Sequence, residues 1–305
     1  MKVSIIIVNY NRFDLVLQCI QSLLPWIREE KYEIIVVDNG SKDFDERGLK
    51  TLSDRIKVVG LSHNIGYGRA NNRGAEIACG EYLFLLNHDT IMHEDVLNPL
   101  VEFLDKHPDV GIVGPTLLNS DGSYQLSTGG EPGLFGEAKT RYWNRCIRSK
   151  NLRIRTSMER SLRRQRSLLW LTGAAMLVRR SLFELVGGFD EDYFMYFEDS
   201  DFCARIRSAG SEIVYLPGPS LIHLHGSSIN VIPGRMAYEY RRSQLLYYQK
   251  HRMLPARIIL RIYLLVKYLG KYLIAKENRE ILGKIIALLL ERNIMRHSYE
   301  LGKAE

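Results

Sequence analysis

The residues best suited to chemistry are three carboxylic acids that lie close together in the chain. Glu198, Asp199 and Asp201 directly follow an aromatic-rich run over residues 193–197. Like charges at this spacing repel one another, and aromatic neighbours raise the cost of ionisation, so at least one carboxyl group is expected to have a raised pKa. A carboxylate of this kind suits a general base. The segment therefore predicts an acid–base site.

The same residues also fit the start of an ordinary helix. Asp199 or Ser200 would be the N-cap, Asp201 would lie in the first turn, and the helix would end at Gly210. Such a helix accounts for Asp201, but it does not require Glu198 and Asp199 to follow an aromatic run. Both of these residues therefore stay catalytic candidates.

A second candidate group follows a short apolar segment at residues 82–86. The next residues are Asn87, His88, Asp89 and Thr90. Hard cations prefer oxygen ligands, and Mg²⁺ commonly takes one or two protein carboxylates while diphosphate oxygens supply further ligands. Asp89 is therefore a candidate metal ligand, although an aspartate at the end of a strand is more often a turn residue.

These groups need a scaffold that brings distant segments together, and the sequence indicates a parallel sheet. Residues 2–11 and 33–41 each form a continuous apolar run that ends in polar residues, as expected of a strand buried on both faces. Apolar residues recur at helical spacing over residues 13–24, which completes a βαβ unit. Further strands are expected at residues 56–61 and 82–86, with their polar ends at one ligand-binding edge.

The loop after the third expected strand has a composition suited to ligand contact. Gly66 and Gly68 permit close backbone approach, and the asparagines around them offer hydrogen-bond donors and acceptors. The loop lacks the third glycine of a dinucleotide fingerprint and does not follow the first strand, which disfavours a nicotinamide cofactor. The alternative is that the glycines only turn the chain into a helix over residues 70–78.

Seven motifs in order resemble those of the inverting glycosyltransferases of family 2, which have the GT-A fold, and especially a bacterial rhamnosyltransferase-like branch. The motifs are SIIIVNYN, VVDNGS, NIGYGRANN, LLNHDT, GAAMLVRR, GGFDEDYFMYFEDSDFCARI and IHLHGSS. The resemblance extends from about Lys2 to about Ser228. It implies an α/β, Rossmann-like domain whose mostly parallel sheet is flanked by helices, followed by a C-terminal helical extension.

The resemblance also implies a nucleotide-diphospho-sugar site at the edge of the sheet, where Asp38 would face the base. Asn87 stands where the family's D-x-D motif has its first aspartate, and an amide ligates a cation weakly. Asp89 would then be the main carboxylate contact to Mg²⁺ or Mn²⁺. The residues expected to bind the donor are Asn9, Tyr10, Asp38, Asn64, Gly66, Asn71 and Asn87.

On the acceptor side, the resemblance assigns Asp199 as the base, with Glu198 as its nearest competitor. The stretch over residues 222–228 resembles the family's histidine motif, whose side chain reaches the metal or the diphosphate. We favour His223 over His225 for this role. The alternative for either histidine is a loop residue hydrogen-bonded to backbone.

The implied reaction is one inverting displacement. Asp199 would take a proton from an acceptor hydroxyl as it attacks the anomeric carbon, and a divalent cation held by Asp89 and His223 would neutralise the leaving diphosphate. The expected donor is a dTDP-, UDP- or GDP-linked sugar such as dTDP-rhamnose. The expected acceptor is a saccharide or lipid-linked saccharide in cell-surface polysaccharide synthesis. The alternatives are a non-catalytic nucleotide-sugar-binding subunit and a sugar nucleotidyltransferase.

Composition fits an enzyme on the cytoplasmic side. The chain has 305 residues, 46% of them hydrophobic, enough to bury a sizeable core. Its 4 cysteines are scattered without a C-x-x-C pair, which fits a reducing compartment better than a zinc site or a disulfide framework. The apolar run after Lys2 is too short and too polar for a signal peptide or membrane anchor.

The net charge of +7 is unevenly distributed, with one basic cluster over residues 137–168. We expect a flexible basic loop there, near a lipid-linked diphosphate or an anionic membrane surface, and a merely solvated insertion is the alternative. The charge is accompanied by no nucleic-acid-binding signature, so we do not expect a nucleic acid partner.

The sequence predicts a catalytic domain over residues 1–233 and a basic amphipathic helical tail over residues 234–305. The catalytic domain would have a nucleotide-sugar half up to about residue 115 and an acceptor half after it. A helix over residues 254–275 would place basic and apolar residues on opposite halves. Its charges argue against spanning a membrane, and its profile fits a helix lying on the inner face of the plasma membrane. Packing on residues 281–290 or in a homo-oligomer is the alternative.

Overall fold

A sheet with helices on both faces forms the centre of the protein. The computed structural model describes residues 1–27, 31–224, 233–275 and 277–291. The strands are β1 (Val3–Asn9), β2 (Tyr32–Asp38), β3 (Ile56–Gly60), β4 (Tyr82–Asn87), β5 (Thr90–Met92), β6 (Val110–Leu118), β7 (Tyr124–Gln125), β8 (Arg166–Ser167), β9 (Ala175–Arg179) and β10 (Glu212–His223). The helices are α1 (Phe13–Leu23), α2 (Glu46–Lys50), α3 (Tyr67–Glu76), α4 (Leu97–Lys106), α5 (Leu134–Ile147), α6 (Leu152–Leu162), α7 (Arg180–Leu185), α8 (Glu198–Ser208), α9 (Pro233–His251), α10 (Leu254–Ile274) and α11 (Arg279–Leu290).

The strand order explains how distant motifs meet. The main path of the sheet runs β3-β2-β1-β4-β9-β6-β10-β5. Strands β3, β2, β1 and β4 are parallel, so their carboxyl ends lie along one edge. The sheet becomes mixed at β9, which is antiparallel to both of its neighbours. The expected parallel βαβ arrangement is confirmed for the first part of the sheet.

The apolar run of β1 places side chains in two separate cores. All seven of its residues are buried, and successive side chains of a strand point to opposite faces. Ile5 and Ile7 pack with residues of α1 and α4, whereas Ile6 and Val8 pack with residues of α3 and α8. Burial of each such aliphatic side chain stabilises the fold by about 1.5–3 kcal/mol. A strand with two apolar faces is therefore fixed in the middle of the sheet.

The basic segment over residues 137–168 is mostly helical, so the flexible-loop prediction is wrong. It contains nearly all of α5, the whole of α6 and the short strand β8. The Asn151 side chain caps α6 by accepting from the N–H of Arg153 at 3.0 Å. Ile147 and Leu162 are buried in the core beneath the sheet. The apolar residues interspersed among the arginines thus anchor the segment.

The C-terminal helices pack against the segment that precedes the acidic pair. Tyr193 and Phe197 share a core cluster with Tyr247 of α9, Leu264 of α10 and Leu288 of α11. The expected helix over residues 254–275 is confirmed as α10. In the described part of the chain, none of the helices combines the length and apolar character needed to cross a bilayer.

Candidate active site

The carboxyl ends of β1 and β2 are tied together by their side chains. Asn9 Nδ2 donates to Asp38 Oδ1 at 2.9 Å, and Asp38 Oδ2 accepts from the N–H of Ser41 at 3.1 Å. Asn9 is fully buried, while the next residue, Tyr10, is partly exposed. These bonds fix the shape of the edge. Nucleotide contact by Asn9, Tyr10 and Asp38 stays a prediction.

The loop before α3 is folded by its own asparagines. Asn64 Oδ1 accepts from the N–H of Gly66 at 3.0 Å, and the buried Asn71 donates to the carbonyl of Tyr67 at 3.0 Å. Gly66 has a φ of +96°, and a Cβ there would lie 2.4 Å from the carbonyl oxygen of Phe194. Glycine is needed because the loop closely approaches the segment that leads to the acidic pair.

The backbone before the acidic pair is strained. Tyr196 and Phe197 have φ values of +67° and +64°, a region that large side chains rarely adopt. Phe197 is the N-cap residue of α8, and no side chain caps this helix. The prediction that Asp199 or Ser200 is the N-cap is therefore wrong. Both residues already lie in the first turn, because the left-handed pair turns the chain into the helix earlier.

The two members of the acidic pair, Glu198 and Asp199, differ in how deeply they are buried. Burial and the charges of Asp199 and Asp201 raise the pKa of Glu198 to about 8. Burial also raises the pKa of Asp199, opposed by donation from the N–H of Gly173 at 3.2 Å and from that of Ser200 at 2.6 Å. Glu198 is 7% exposed, whereas Asp199 is partly open. The expected raised carboxyl pKa is confirmed.

Asp201 is held by one basic side chain of its own helix and one of α9. Its Oδ2 lies 2.8 Å from Arg205 Nε, and its Oδ1 lies 2.6 Å from His251 Nε2 of α9. Burial disfavours ionisation of Asp201, but these partners outweigh it and keep its pKa below the usual range. This arrangement agrees with a structural role for Asp201.

Asn87, Asp89 and His223 meet on the opposite side of the site. His223 Nε2 lies 3.3 Å from Asp89 Oδ1 and 3.4 Å from Asn87 Nδ2. Gln125 Oε1 lies 2.7 Å from His223 Nδ1, and Gln125 Nε2 donates to the His223 carbonyl at 3.2 Å, which orients the amide. An amide oxygen only accepts, so the ring of His223 donates from Nδ1 to Gln125 and turns Nε2 toward Asp89. His225 lies outside the described residues.

This group fits a divalent cation that is shared with a diphosphate. An imidazole nitrogen and a carboxylate oxygen, His223 Nε2 and Asp89 Oδ1, face each other at 3.3 Å, and both atom types ligate divalent cations. Among the described residues, no cluster of three or more His, Cys, Asp or Glu side chains could hold a metal ion alone. One carboxylate and one imidazole leave most ligand positions to phosphate oxygens and water, as Mg²⁺ and Mn²⁺ accept.

Tyr67 lies between the Asp89 side and the acidic pair, and it was not among the site residues predicted from the sequence. Its phenol donates to the carbonyl of Gly173 at 2.8 Å, and the N–H of Gly173 donates to Asp199. Burial raises the pKa of Tyr67, and the charges of Glu198, Asp199 and Asp89 raise it further. The N–H of Asn87 donates to the carbonyl of Ala174, the residue after Gly173, at 2.9 Å, so the end of β4 and the acidic pair meet at one connection. The only indication of Tyr67 in the sequence is its position between Gly66 and Gly68.

Helix α9 holds the segment that carries the acidic pair. Lys250 Nζ lies 2.6 Å from the carboxylate of Asp192, and Arg242 donates to the carbonyl of the same residue at 2.9 Å. The hydroxyl of Ser243 donates to the carbonyl of Met195 at 2.7 Å. These bonds hold the backbone just before the strained residues. The C-terminal helices therefore contribute to the geometry of the site.

Two cavities in the described residues lie away from this cleft. One of about 460 Å³ is lined by residues of α5 and α6, and one of about 310 Å³ lies beside α3 and α7. Neither is lined by Asp89 or by the acidic pair. The convergence of polar side chains, rather than an enclosed cavity, identifies the candidate site.

Comparison with known sequences places this geometry in a family. The family model described as glycosyl transferase family 2 matches residues 4–187. The N-acetylglucosaminyl-diphospho-decaprenol L-rhamnosyltransferase of Mycobacterium tuberculosis is 28% identical over 239 residues, which cover 72% of this chain and 75% of the relative. Rhamnosyltransferase WbbL of Escherichia coli is 29% identical, with coverage of 72% and 83%. The dTDP-rhamnosyl transferase RfbF of Shigella flexneri is 22% identical, with coverage of 81% and 80%.

Solved structures agree at the level of the fold. TarS of Staphylococcus aureus (residues 1–349) superposes with a TM-score of 0.54 at 17% identity, covering 95% of this chain and 71% of that one. GalNAc-T7, crystallised with UDP, GalNAc and Mn²⁺, gives a TM-score of 0.57 at 15% identity, covering 84% and 52%. The expected GT-A fold is confirmed, and neither a binding subunit nor a nucleotidyltransferase is supported. Since the family model spans more than half of the chain, this protein belongs to glycosyl transferase family 2 and is a rhamnosyltransferase-like glycosyltransferase.

Proposed function

We propose that this enzyme transfers rhamnose from dTDP-rhamnose to a lipid-linked saccharide during cell-surface polysaccharide synthesis. Three of the relatives are rhamnosyltransferases, which supports the sugar, and one is a dTDP-rhamnosyl transferase, which supports the nucleotide. The observation that carries the chemistry is that the N–H of Asn87 donates to the carbonyl of Ala174 at 2.9 Å, while the N–H of the adjacent Gly173 donates to Asp199 at 3.2 Å. One cleft would thus contain both the leaving-group side and the base side of a displacement.

Asp199 is the general base in this proposal. Its carboxylate is partly open to the cleft, and its two backbone donors favour the ionised form. It would accept the proton of the acceptor hydroxyl as that oxygen attacks the anomeric carbon from the face opposite the nucleotide. The raised pKa of the buried Glu198 keeps this neighbour largely protonated at neutral pH. Glu198 then adds little negative charge beside the base.

Asp89 and His223 would hold the leaving-group side. A divalent cation bound there supplies Lewis-acid stabilisation of the charge that develops on the diphosphate. Gln125 fixes the ring of His223 through both of its amide atoms, so the imidazole is already oriented before the donor binds. Asn87 would provide an amide oxygen or a donor beside the same phosphate.

The donor nucleotide would lie along the carboxyl edge of β1 and β2. Asp38 would face the base and Tyr10 would border the ring, while Asn64, Gly66 and Asn71 shape the loop beside the sugar. Asn9 would act by holding Asp38 at 2.9 Å. The close approach of Gly66 to Phe194 brings this loop against the acceptor segment.

We also propose that the enzyme works peripherally on the cytoplasmic face of the plasma membrane, where a lipid-linked acceptor is available. The acceptor named for the M. tuberculosis relative is a decaprenol diphosphate saccharide, which supports this location. We expect no nucleic acid partner. A homo-oligomer formed through the C-terminal helices is the alternative to membrane binding.

The test is a thermal-shift screen against dTDP-, UDP- and GDP-sugars, with and without Mn²⁺ or Mg²⁺. A ligand that binds only the folded state raises the unfolding temperature, so dTDP-rhamnose with metal is expected to give the largest increase. Transfer from dTDP-rhamnose, with release of dTDP, should follow on addition of a lipid-linked saccharide. A larger increase with a UDP- or GDP-sugar would contradict the proposed donor.

Replacement of Asp89 tests the metal side. Asp89→Ala is expected to remove the metal-dependent part of donor binding, because it deletes the carboxylate that faces His223 Nε2. Isothermal titration with and without Mn²⁺ measures this difference. The control is Asp121→Ala, whose exposed carboxylate lies in the turn before β7. Unchanged metal dependence in Asp89→Ala would place the cation elsewhere.

A further inference from the structure

Helix α10 presents opposite faces to the protein and to the solvent. Leu260, Leu264 and Tyr268, at intervals of four residues, are buried against α9 and α11. The residues on the other side are large, apolar and exposed. They are Ile258 (47% exposed), Ile259 (51%), Ile262 (58%), Tyr263 (52%), Val266 (67%), Leu269 (42%) and Leu273 (76%).

The charged residues of α10 do not lie on this outward face. Arg257, Arg261, Lys267 and Lys271 stand three or seven residues from Leu264, so they lie on the protein-facing half, in or beside the buried row. The guanidinium of Arg261 is engaged internally, donating to the carbonyl of Leu289 at 2.8 Å. A surface helix of a soluble protein normally has the reverse arrangement, with its polar side outward. The apolar half that the sequence suggests for core packing is thus largely exposed to solvent.

A continuous apolar stripe along a helix of 21 residues marks an interaction surface rather than scattered exposure. We propose that the outward face of α10 docks on an anionic lipid bilayer, with the helix axis parallel to the membrane surface. This proposal rests on the proposed function for the source of the lipid-linked acceptor. The apolar side chains would enter the acyl region, and the long side chains of Lys267 and Lys271 would extend around the helix to reach phosphate groups.

Charge favours a bilayer over a second copy of this chain. Residues 254–275 contain four basic residues and no acidic residue. A second copy would bring the same excess of positive charge and no acidic partner on this helix. Tyr263 and Tyr272 (37% exposed) border the face, and tyrosine side chains favour the level of lipid head groups. The face therefore matches a negatively charged interface.

The docking surface is connected to the candidate active site through α9. Helix α10 packs on α9, and α9 holds the backbone of Asp192 and Met195, which precede the acidic pair. A bilayer that fixes α10 would consequently fix the orientation of Asp199 relative to the membrane. This arrangement would direct the cleft to the saccharide of a lipid-linked acceptor.

The experiment is vesicle co-sedimentation with the full chain. Vesicles of phosphatidylcholine alone are compared with vesicles of equal parts phosphatidylcholine and phosphatidylglycerol. The double variant Ile262→Glu/Val266→Glu places two carboxylates on the outward face, where the side chains have no core to disrupt. The matched control is Leu185→Glu, which changes an apolar residue of α7 that is 74% exposed. Circular dichroism and the thermal shift with dTDP-rhamnose verify folding and donor binding in each variant.

We expect wild-type protein to bind the anionic vesicles about tenfold or more tightly than the neutral ones. The double variant should bind about 100-fold more weakly, and Leu185→Glu should bind like wild type. Equal binding by wild type and the double variant, or no vesicle binding by wild type, would overturn the proposal. A wild-type dimer in sedimentation velocity that the double variant dissociates would overturn it in favour of a subunit interface. Vesicle binding without any response to dTDP-rhamnose would instead reject the proposed function and leave the docking surface intact.

Discussion

At the carboxyl ends of β1 and β2, the proposed donor side, Asn9, Asp38 and Ser41 satisfy one another, whereas the acidic pair on the proposed acceptor side is held in an unfavourable state. Asp38 accepts from Asn9 and from the N–H of Ser41. Glu198, by contrast, is buried with a raised pKa and follows two residues in the left-handed region. The ends of β1 and β2 are therefore held by their own hydrogen bonds, while residues 192–199 depend on packing against the aromatic cluster of α9. The strained backbone of Tyr196 and Phe197 is kept in place by contacts with residues that come much later in the chain.

The largest expected effect lies on the acceptor side. Asp199→Asn keeps the shape of the side chain but removes the base, so transfer should fall about 100- to 10,000-fold. Donor binding should stay nearly unchanged, because Asp38 and Asp89 are intact. Steady-state kinetics and donor titration measure the two effects separately. Glu191→Gln is the control, since Glu191 is an exposed carboxylate of the same segment. Transfer by Asp199→Asn near the wild-type rate would move the base to Glu198 or elsewhere.

A second, smaller effect distinguishes Glu198 from Asp199. The pKa of Glu198 is raised to about 8 in the folded state, so this state keeps a proton that the unfolded chain releases above about pH 4.3. Stability is then lost as the pH rises from that value toward 8. Glu198→Gln lacks this proton release, and it should be more stable than wild type at pH 8 by at least about 1 kcal/mol.

Chemical denaturation of Glu198→Gln and wild type at several pH values gives this difference. Transfer by Glu198→Gln at neutral pH should remain within about tenfold of wild type, because the amide resembles the neutral acid. A loss as complete as that of Asp199→Asn would contradict the assignment of the base. An unchanged pH profile of stability would contradict the raised pKa of Glu198.

The smallest effect tests the support given by α9. Lys250 is 24% exposed and pairs with both Asp190 and Asp192, whereas Lys284 of α11 is 59% exposed and pairs only within its helix. Lys250→Ala should lower the free energy of unfolding by about 1 kcal/mol, and Lys284→Ala by less than about 0.5 kcal/mol. Lys250→Ala should also slow transfer several-fold. Equal effects of the two variants would show that α9 does not position the acceptor segment.

Much of the fold could be predicted because its signals are local. The apolar run of β1 and the polar residues after it indicate a buried strand that ends at a ligand edge, and the helical spacing of α1 follows directly. The basic segment was wrongly predicted as a flexible loop, because its high charge obscured the apolar residues Ile147 and Leu162. These two residues can be recognised as anchors only when the core that buries them is known.

The candidate site was predictable in its residue types but not in its arrangement. The sequence indicated Asp89, His223 and the acidic pair, and the structure brings Asp89 against His223 and links Asp199 to Tyr67 through Gly173. The position of Tyr67 between two glycines does not reveal its role, since that role depends on the approach of Gly173 from a separate strand connection. Gln125 was missed for the same reason. Its contact with His223 joins residues that lie 98 positions apart.

The sequence by itself determined the elements, the family motifs and the carboxylates available for chemistry, because these follow from side-chain type and short-range periodicity. Only the tertiary structure decided which carboxylate is buried, which one stays open to the cleft, and which half of α10 faces outward. Desolvation and packing depend on residues far away in the chain, and no local pattern records them. The sequence of α10 predicts a basic half and an apolar half, but only the contacts with α9 and α11 show which half faces the protein.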